Sequence, residues 1–500
     1  MNNLLVAPVA LPLAAAITLI PARTRPRLSR GIAIAANLAG LAAALAIVAR
    51  TYAGGPAVLA FGKWSPPYAI TFTVDLFGAL MVLVTMVVST ATLVFACYSL
   101  DADRERYFFY PFFQFLIMGV NGAFLTGDMF NLFVWFEVLL VSSYAMMALG
   151  SERYQLQETF KYLVINAVGS ALFLLAIALL YSLTHTLNMA DAACRLADPE
   201  LPRGLVAATA VLFVIVFGLK GALFPLYMWL PRSYFAPPTV VSALFGGLLT
   251  KVGVYALFRV VPLMFGNVVP ELWPILVVVS GLTMFFGVIG ALAQWDMKRI
   301  LSYHIISQIG YMIMGLGLRA EAAVAGGIFY IVHHILVKTA LFLVAGTVEK
   351  LRGSTHLRSL GGLVETAPAV STLFLVAGLS LAGAPPLSGF VAKFMLIRAG
   401  VQQGAYTIVT VSLLVSFLTL FSMMKIFRYG FWRPPEAPDR LSRGATVRIA
   451  ATASLVLAGV ALGIGAAAAL PLANEAARQL LDRGHYIEAV LQECPWSSRY

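Results

Sequence analysis

Apolar residues run through this chain in stretches of about twenty, one after another, and the short segments between them carry most of the Lys and Arg. A hydrocarbon core about 30 Å thick takes roughly twenty apolar residues per spanning helix. About fourteen such stretches can be marked, from about 3–21 to about 446–470, with the seventh near 204–230 and the twelfth near 367–398. They are continuous rather than alternating, which excludes a membrane β-barrel. The expected fold is an all-α integral membrane protein of about 14 transmembrane helices. Composition agrees: 60% of the 500 residues are hydrophobic and 11% charged, against roughly 25% charged in a soluble domain.

A net charge of +12 raises the question of nucleic acid. The basic residues form no continuous face and no nucleic-acid motif, so no nucleic-acid partner is expected. Cys97, Cys194 and Cys494 have no metal-site spacing, and neither a disulfide framework nor a zinc or iron–sulfur site is expected. No persuasive cleavage site follows the first apolar run, so that run reads as a retained span. The side holding Arg23, Arg25, Arg27, Arg30, Lys298 and Arg299 carries about twice the Lys and Arg of the other. The richer side is therefore expected to be cytoplasmic, with both termini outside, in a bacterial inner membrane.

An internal repeat is visible. Phe160-Lys161-Tyr162 and Ala171–Ala176 resemble Phe329-Tyr330-Ile331 and Ala340–Ala345 at an offset of 169, and Tyr144…Gly150 resembles Tyr311…Gly317 at 167. The offset of 167 also sets His304 at the repeat position of Glu137. An odd number of spans separates the copies, so they are inverted in the membrane, as in many transporters. The expected organisation is N-terminal helices over 1–107, a first five-helix unit over 108–262, a second over 263–430, and a C-terminal helix and tail over 431–500. The seventh span carries Pro225 and the twelfth carries Gly383-Ala384-Pro385-Pro386. Proline removes a donor and clashes with the preceding turn, so both helices are expected to break beside a polar cavity.

Glu137, Lys220, Lys251, Lys338 and Lys393 fall inside spans. Five such charges facing lipid would cost on the order of 12–17 kcal/mol, as much as a domain's whole stability of about 5–15 kcal/mol. They are expected to face inward. Lysine in an apolar surround can give up its proton, because desolvation disfavours the charged form, and an approaching carboxylate reverses that preference. Histidine adds groups that titrate near neutrality. His334 and Lys338 share a helical face. His304, Ser307, Gln308 and Tyr311 form a polar stripe.

Plainer roles compete at several positions. A single buried Lys can be half of a structural ion pair. His333 points away from Lys338 and suits packing, and His304, near a helix start, suits an interface as well as a relay. Lys161 and Asp128 sit at span ends, where snorkelling is common. Asp75 is open to either reading. Phosphate-loop, dinucleotide and serine-hydrolase motifs are missing from the sequence, so no cofactor and no enzymatic chemistry are expected.

The segments Phe130-Asn131-Leu132-Phe133-Val134-Trp135-Phe136-Glu137, Leu219-Lys220-Gly221-Ala222-Leu223-Phe224-Pro225, Leu248-Leu249-Thr250-Lys251 and Leu301-Ser302-Tyr303-His304 carry a resemblance. With His333-His334-Ile335-Leu336-Val337-Lys338, they resemble the D subunit of the Mrp-type multisubunit cation/proton antiporters over about residues 70–430. That family is homologous to the antiporter-like proton-pumping subunits of respiratory NADH dehydrogenase. The resemblance implies fourteen helices, two inverted five-helix units and broken seventh and twelfth helices. It also implies a proton path through Glu137, Lys220, Lys251, His334, Lys338 and Lys393, with His304, His333, Asp75, Ser307 and Gln308 as further candidates.

The resulting expectation is one subunit of a hetero-oligomeric Na⁺ (or K⁺)/H⁺ antiporter, beside a large homologous subunit and small membrane subunits. The alternative is a proton-pumping subunit of NADH dehydrogenase or a membrane-bound hydrogenase. A passive channel or scaffold would not need the titratable row. No carboxylate cluster inside the spans offers the several oxygens a hard cation wants, so no metal-ion site is assigned.

Overall fold

The structure, a computed structural model, describes residues 2–62, 64–434 and 444–492. Thirteen helices among the described residues are long and apolar enough to cross a membrane. In chain order they begin with α1 (Asn3–Ala22), α2 (Pro26–Gly54), α3 (Leu76–Ala96), α4 (Ala102–Leu125), α5 (Met129–Met147), α6 (Arg153–Thr184) and α7 (Arg203–Gly221). Then come α8 (Thr239–Phe265), α9 (Leu272–Leu292), α10 (Met297–Gly317) and α11 (Glu321–Arg352). The twelfth span is split into α12 (Pro368–Ala382) and α13 (Ser388–Gln402), each too short to cross alone. Tyr406–Trp432 and Ala445–Ile464 follow as α14 and α15.

The most apolar spans are not the innermost ones. The spans α6 and α9, at mean hydropathy 2.5 and 2.4, are mostly exposed on the isolated chain, whereas α10, at 1.2, and α8, at 1.7, are almost wholly buried. Polar residues need protein or water partners, so the less apolar helices go to the centre. There α11 packs against α3, α8, α10, α12, α13 and α15.

Three spans start with an Asp cap at the edge of the apolar zone. Asp75, Asp128 and Asp296 accept from the backbone N–H of Gly78, Asn131 and Arg299 at 2.9, 2.7 and 3.2 Å. The first free N–H groups of those helices are thereby partly satisfied.

The backbone repeats itself at 168 residues. Met129 N donates to Leu187 O and Met189 N to Gly127 O; Met297 N donates to Thr355 O and Leu357 N to Trp295 O. The matching bridges are Asp128 with Asn188 and Asp296 with His356. The long helices Arg153–Thr184 and Glu321–Arg352 have 32 residues each and the same offset. This register lies between the two sequence offsets and pairs Glu137 with Ile305, so the expected equivalence of Glu137 and His304 is one residue out. It also pairs Asn166 with His334 and Ser170 with Lys338.

Some features were not anticipated. An antiparallel hairpin, β1 (Ala57–Ala60) with β2 (Thr71–Val74), joins α2 to α3. The expected tail contains two further helices, α16 (Ala466–Leu481) and α17 (Arg483–Leu491). Cys194 is disulfide-bonded, which corrects the expectation of no disulfide; Cys97 is free and buried, and Cys494 lies outside the described residues. Disulfide pairing is set by tertiary proximity, which spacing rules do not reach.

Candidate proton-transfer row

Both expected breaks are present, and each places a lysine. The seventh span stops at Gly221, and Ala222 turns left-handed at φ 58. The carbonyls left free are met locally: the Trp229 indole N–H donates to Leu219 O at 3.1 Å and Leu223 N to Gly218 O at 2.8 Å. Beyond the turn, Phe224 N donates to Thr283 Oγ1 on α9 at 3.0 Å. Lys220, one residue before the stop, donates to Ser170 Oγ at 3.1 Å and Asn166 O at 3.3 Å. The Ser170 hydroxyl in turn donates to the Glu137 carboxylate. Glu137 and Lys220 are thus joined through Ser170, a residue the sequence reading missed. Nothing distinguishes one helical serine from another until its neighbours are known.

In the twelfth span the stop falls at Gly383, φ 94. The Lys393 ammonium donates to Leu381 O at 3.2 Å, Ala382 O at 2.9 Å and Ser416 Oγ at 3.0 Å. It also lies 4.8 Å from the Tyr311 ring centre. A cation at the C-terminal end of α12 is favoured by the helix dipole and satisfies carbonyls that the break releases. His333 reaches the same break, with Nδ1 2.8 Å from Ser388 Oγ. This contact sets His333 at the edge of the row and also suits a packing histidine.

Lys251 lies on α8 just past a π-type turn at Phe245–Leu249. Its amine donates to Gly246 O at 2.6 Å and Thr250 Oγ1 at 3.2 Å. A π turn shifts the backbone ladder by one residue, so a carbonyl can be presented to a side chain. Gly253, half a turn on, sits where a Cβ would lie 2.5 Å from Gly221 N and 2.9 Å from the Lys220 carbonyl carbon. Backbone meets backbone there, so the helix carrying Lys251 abuts the end of the helix carrying Lys220.

His304, His334 and Lys338 are fully buried, and among the described residues neither the imidazole nitrogens of the first two nor the Lys338 amine has a hydrogen-bond partner. The burial of His304 removes its interfacial reading. Lys251, Lys338, His334 and His304 lie close enough to feel one another's charge, and His304 and His333 also feel Lys393. Buried polar groups without protein partners are satisfied by water, so this segment suits a hydrated relay. The row therefore comes in two groups, Glu137–Ser170–Lys220 and Lys251–Lys338–His334–His304–Lys393, meeting at the contact of Gly253 with Gly221.

The remaining candidates divide. Gln308 donates to Ser307 Oγ at 3.2 Å and accepts from the Tyr330 hydroxyl, with Tyr330 stacked on Tyr311, so this stripe lines the row near Lys393. Asp75 stands apart: fully buried, it pairs with Arg259 at 2.6 Å at the end of α3. Its role is that of a cap and ion-pair partner. Asp128 is a cap, and Lys161 pairs with Glu158 at 2.8 Å. Glu137 is only half-buried on the isolated chain, whereas Lys220, Lys251, Lys338 and Lys393 are buried. Among the described residues, no group of three or more His, Cys, Asp or Glu gathers.

Comparison with known proteins bears on the family and the overall fold. Residues 126–419 match the family described as NADH:quinone oxidoreductase/Mrp antiporter, transmembrane. The chain is 46% identical to the D subunit of the Na(+)/H(+) antiporter of Alkalihalophilus pseudofirmus (strain OF4), over 99% of its length and 100% of the relative's. In solved structures, a chain of the Mrp complex from Dietzia sp. DQ12-45-1b is similar at TM-score 0.91 and 34% identity, covering 98% of this chain and 99% of that one. A chain of an archaeal membrane-bound sulfane sulfur reductase gives TM-score 0.92 at 27% identity, covering 98% and 100%. The likeness in fold thus extends to redox-linked complexes, and sequence identity makes the finer distinction. On these grounds the chain belongs to the NADH:quinone oxidoreductase/Mrp antiporter transmembrane family, within its branch of antiporter D subunits.

Proposed function

We propose that the chain is the D subunit of a multisubunit antiporter that exchanges cytoplasmic Na⁺ or K⁺ for external H⁺. The observation that carries this reading is the row itself: a chain of buried titratable groups, each in electrostatic range of the next, leading through a shared backbone contact to a Glu–Ser–Lys bridge. Protons pass among Lys393, His304, His334, Lys338 and Lys251, and the Glu137–Lys220 pair switches the affinity of its end. The half-exposed Glu137 suits an end of the row that meets a neighbouring subunit, since a charge at that depth is costly against lipid. The neighbours are the large homologous antiporter-like subunit and the small membrane subunits. Residues 108–262 and 263–430 act as the two inverted units, a division supported by the 168-residue register.

The excess of Lys and Arg on the opposite side supports both termini lying outside the cell membrane. Cys194 lies between α6 and α7 on the termini's side, and its disulfide suits an oxidising compartment. Antiport is tested in everted vesicles carrying the whole complex, with a pH-gradient dye. Added Na⁺, K⁺ or Li⁺ should discharge the gradient, and no response to any of them defeats the reading. Quinone-linked electron transfer co-purifying with the complex would favour the respiratory alternative.

A further inference from the structure

A polar cavity of about 330 Å³ opens where α8 begins and α11 ends, outside the row described above. Thr239, Pro237, Lys298, Gly346 and Glu349 are among its walls. The Thr239 hydroxyl donates to the Glu349 carboxylate. Lys298 Nζ lies 4.0 Å from that carboxylate and donates to Pro237 O at 3.3 Å. The fully buried Ser242 hydroxyl donates to the same carbonyl at 3.3 Å, one step further along α8. Polar groups therefore continue inward from the cavity wall.

The direction they take leads to the row. On α11, Lys338, Phe342 and Gly346 follow at four-residue spacing and so share one face. A Cβ on Gly346 would lie 2.8 Å from Thr239, and one on Gly246 would lie 2.8 Å from the Phe342 ring. The Gly246 carbonyl is the one that holds Lys251. Thr239 and Gly246 are seven residues apart, about 10 Å along a helix. One aromatic ring thus stands in the last turn between the cavity and the Lys251–Lys338 pair.

We propose that this cavity is the proton port of the Lys251–Lys338 group, with Glu349 as its exchanging group. The inference rests on the proton-transfer reading above. In the antiport direction, the Lys251 ammonium gives up H⁺ and becomes a neutral amine. The Glu349 carboxylate takes that proton through intervening water, becomes the acid, and releases H⁺ to the aqueous phase. One carboxylate, with the Lys298 ammonium beside it, does not give Na⁺ the several oxygen ligands that a hard cation takes, which argues for H⁺ as the occupant.

The experiment uses everted vesicles carrying the complete complex. Glu349→Gln should slow cation-driven discharge by about tenfold or more, with Glu349→Asp recovering most of the rate. Glu349→Cys, assembled normally, should lose its remaining activity when a membrane-impermeant methanethiosulfonate is added to the medium, while the unsubstituted complex is unaffected. Full activity of Glu349→Gln, or of modified Glu349→Cys, beside a working unsubstituted complex overturns the port alone. No cation response in the unsubstituted complex overturns the antiport reading and the port with it.

Discussion

The contact between Gly253 and the end of α7 can be probed with a single methyl group. In Gly253→Ala the new Cβ meets Gly221 N at 2.5 Å, with the Lys220 carbonyl carbon and Phe217 O both at 2.9 Å. All three are backbone atoms, so no side chain can swing aside. Reaching ordinary contact needs a separation of about 0.9 Å between α7 and α8. Overpacking of this kind costs about 1–3 kcal/mol. The functional effect should be larger than the effect on stability, because the two groups of the row meet at this contact. A misplacement of about 1 Å can cost about a hundredfold in a transfer step. Cation-driven discharge in everted vesicles and the thermal stability of the purified complex should both be measured. Gly204→Ala, on the same α7 with nothing within 4 Å of its Cβ position, is the control and should leave transport unchanged. Wild-type transport in Gly253→Ala would refute the idea that the two groups communicate through this contact.

Other outcomes follow from the same geometry. Ser170→Ala removes the hydroxyl between Glu137 and Lys220; a hydrogen bond to a charged group is worth about 1.5–3 kcal/mol, so antiport should fall about ten- to a hundredfold, with Ser170→Thr largely active. Undiminished transport in Ser170→Ala would reject the bridge. Burial pushes the Asp128 carboxyl from 3.8 up to about 6, opposed by backbone N–H bonds from Asn131 and Phe130. The folded protein thus binds this proton more tightly than the unfolded chain, and the cost of charging Asp128 is absent below about pH 4 and complete above about pH 6. Asp128→Asn keeps a capping side chain, so its gain in melting temperature over wild type should grow between pH 4 and pH 7. An equal difference at both pH values would count against that sign.

The candidate row was legible where it broke a local rule. Lys220, Lys251, Lys338 and Lys393 stand out because ammonium groups in apolar runs are costly anywhere else, and Pro225 and Pro385-Pro386 because proline cannot continue a helix. The π turn before Lys251, the bridging role of Ser170 and the port residues Thr239 and Glu349 break no such rule. A serine or threonine in a helix and a glutamate at a helix end are ordinary until another helix is set against them. His304 shows the same limit from the other side: its place near a helix start suited an interface, and only the packing around it made it fully buried.

The order of residues was enough to establish the solvent, the succession of spans and the two breaks, because spanning length and helix-breaking are properties of consecutive residues. It also established which charges had to find an inward face. Packing, in contrast, put α8, α10 and α11 at the centre and set the repeat at 168. It also brought Glu137 to Lys220 through a serine and left that carboxylate half-exposed. Those outcomes depend on which helix faces meet, and contacts between helices far apart in the chain leave little trace in the succession of residues along it.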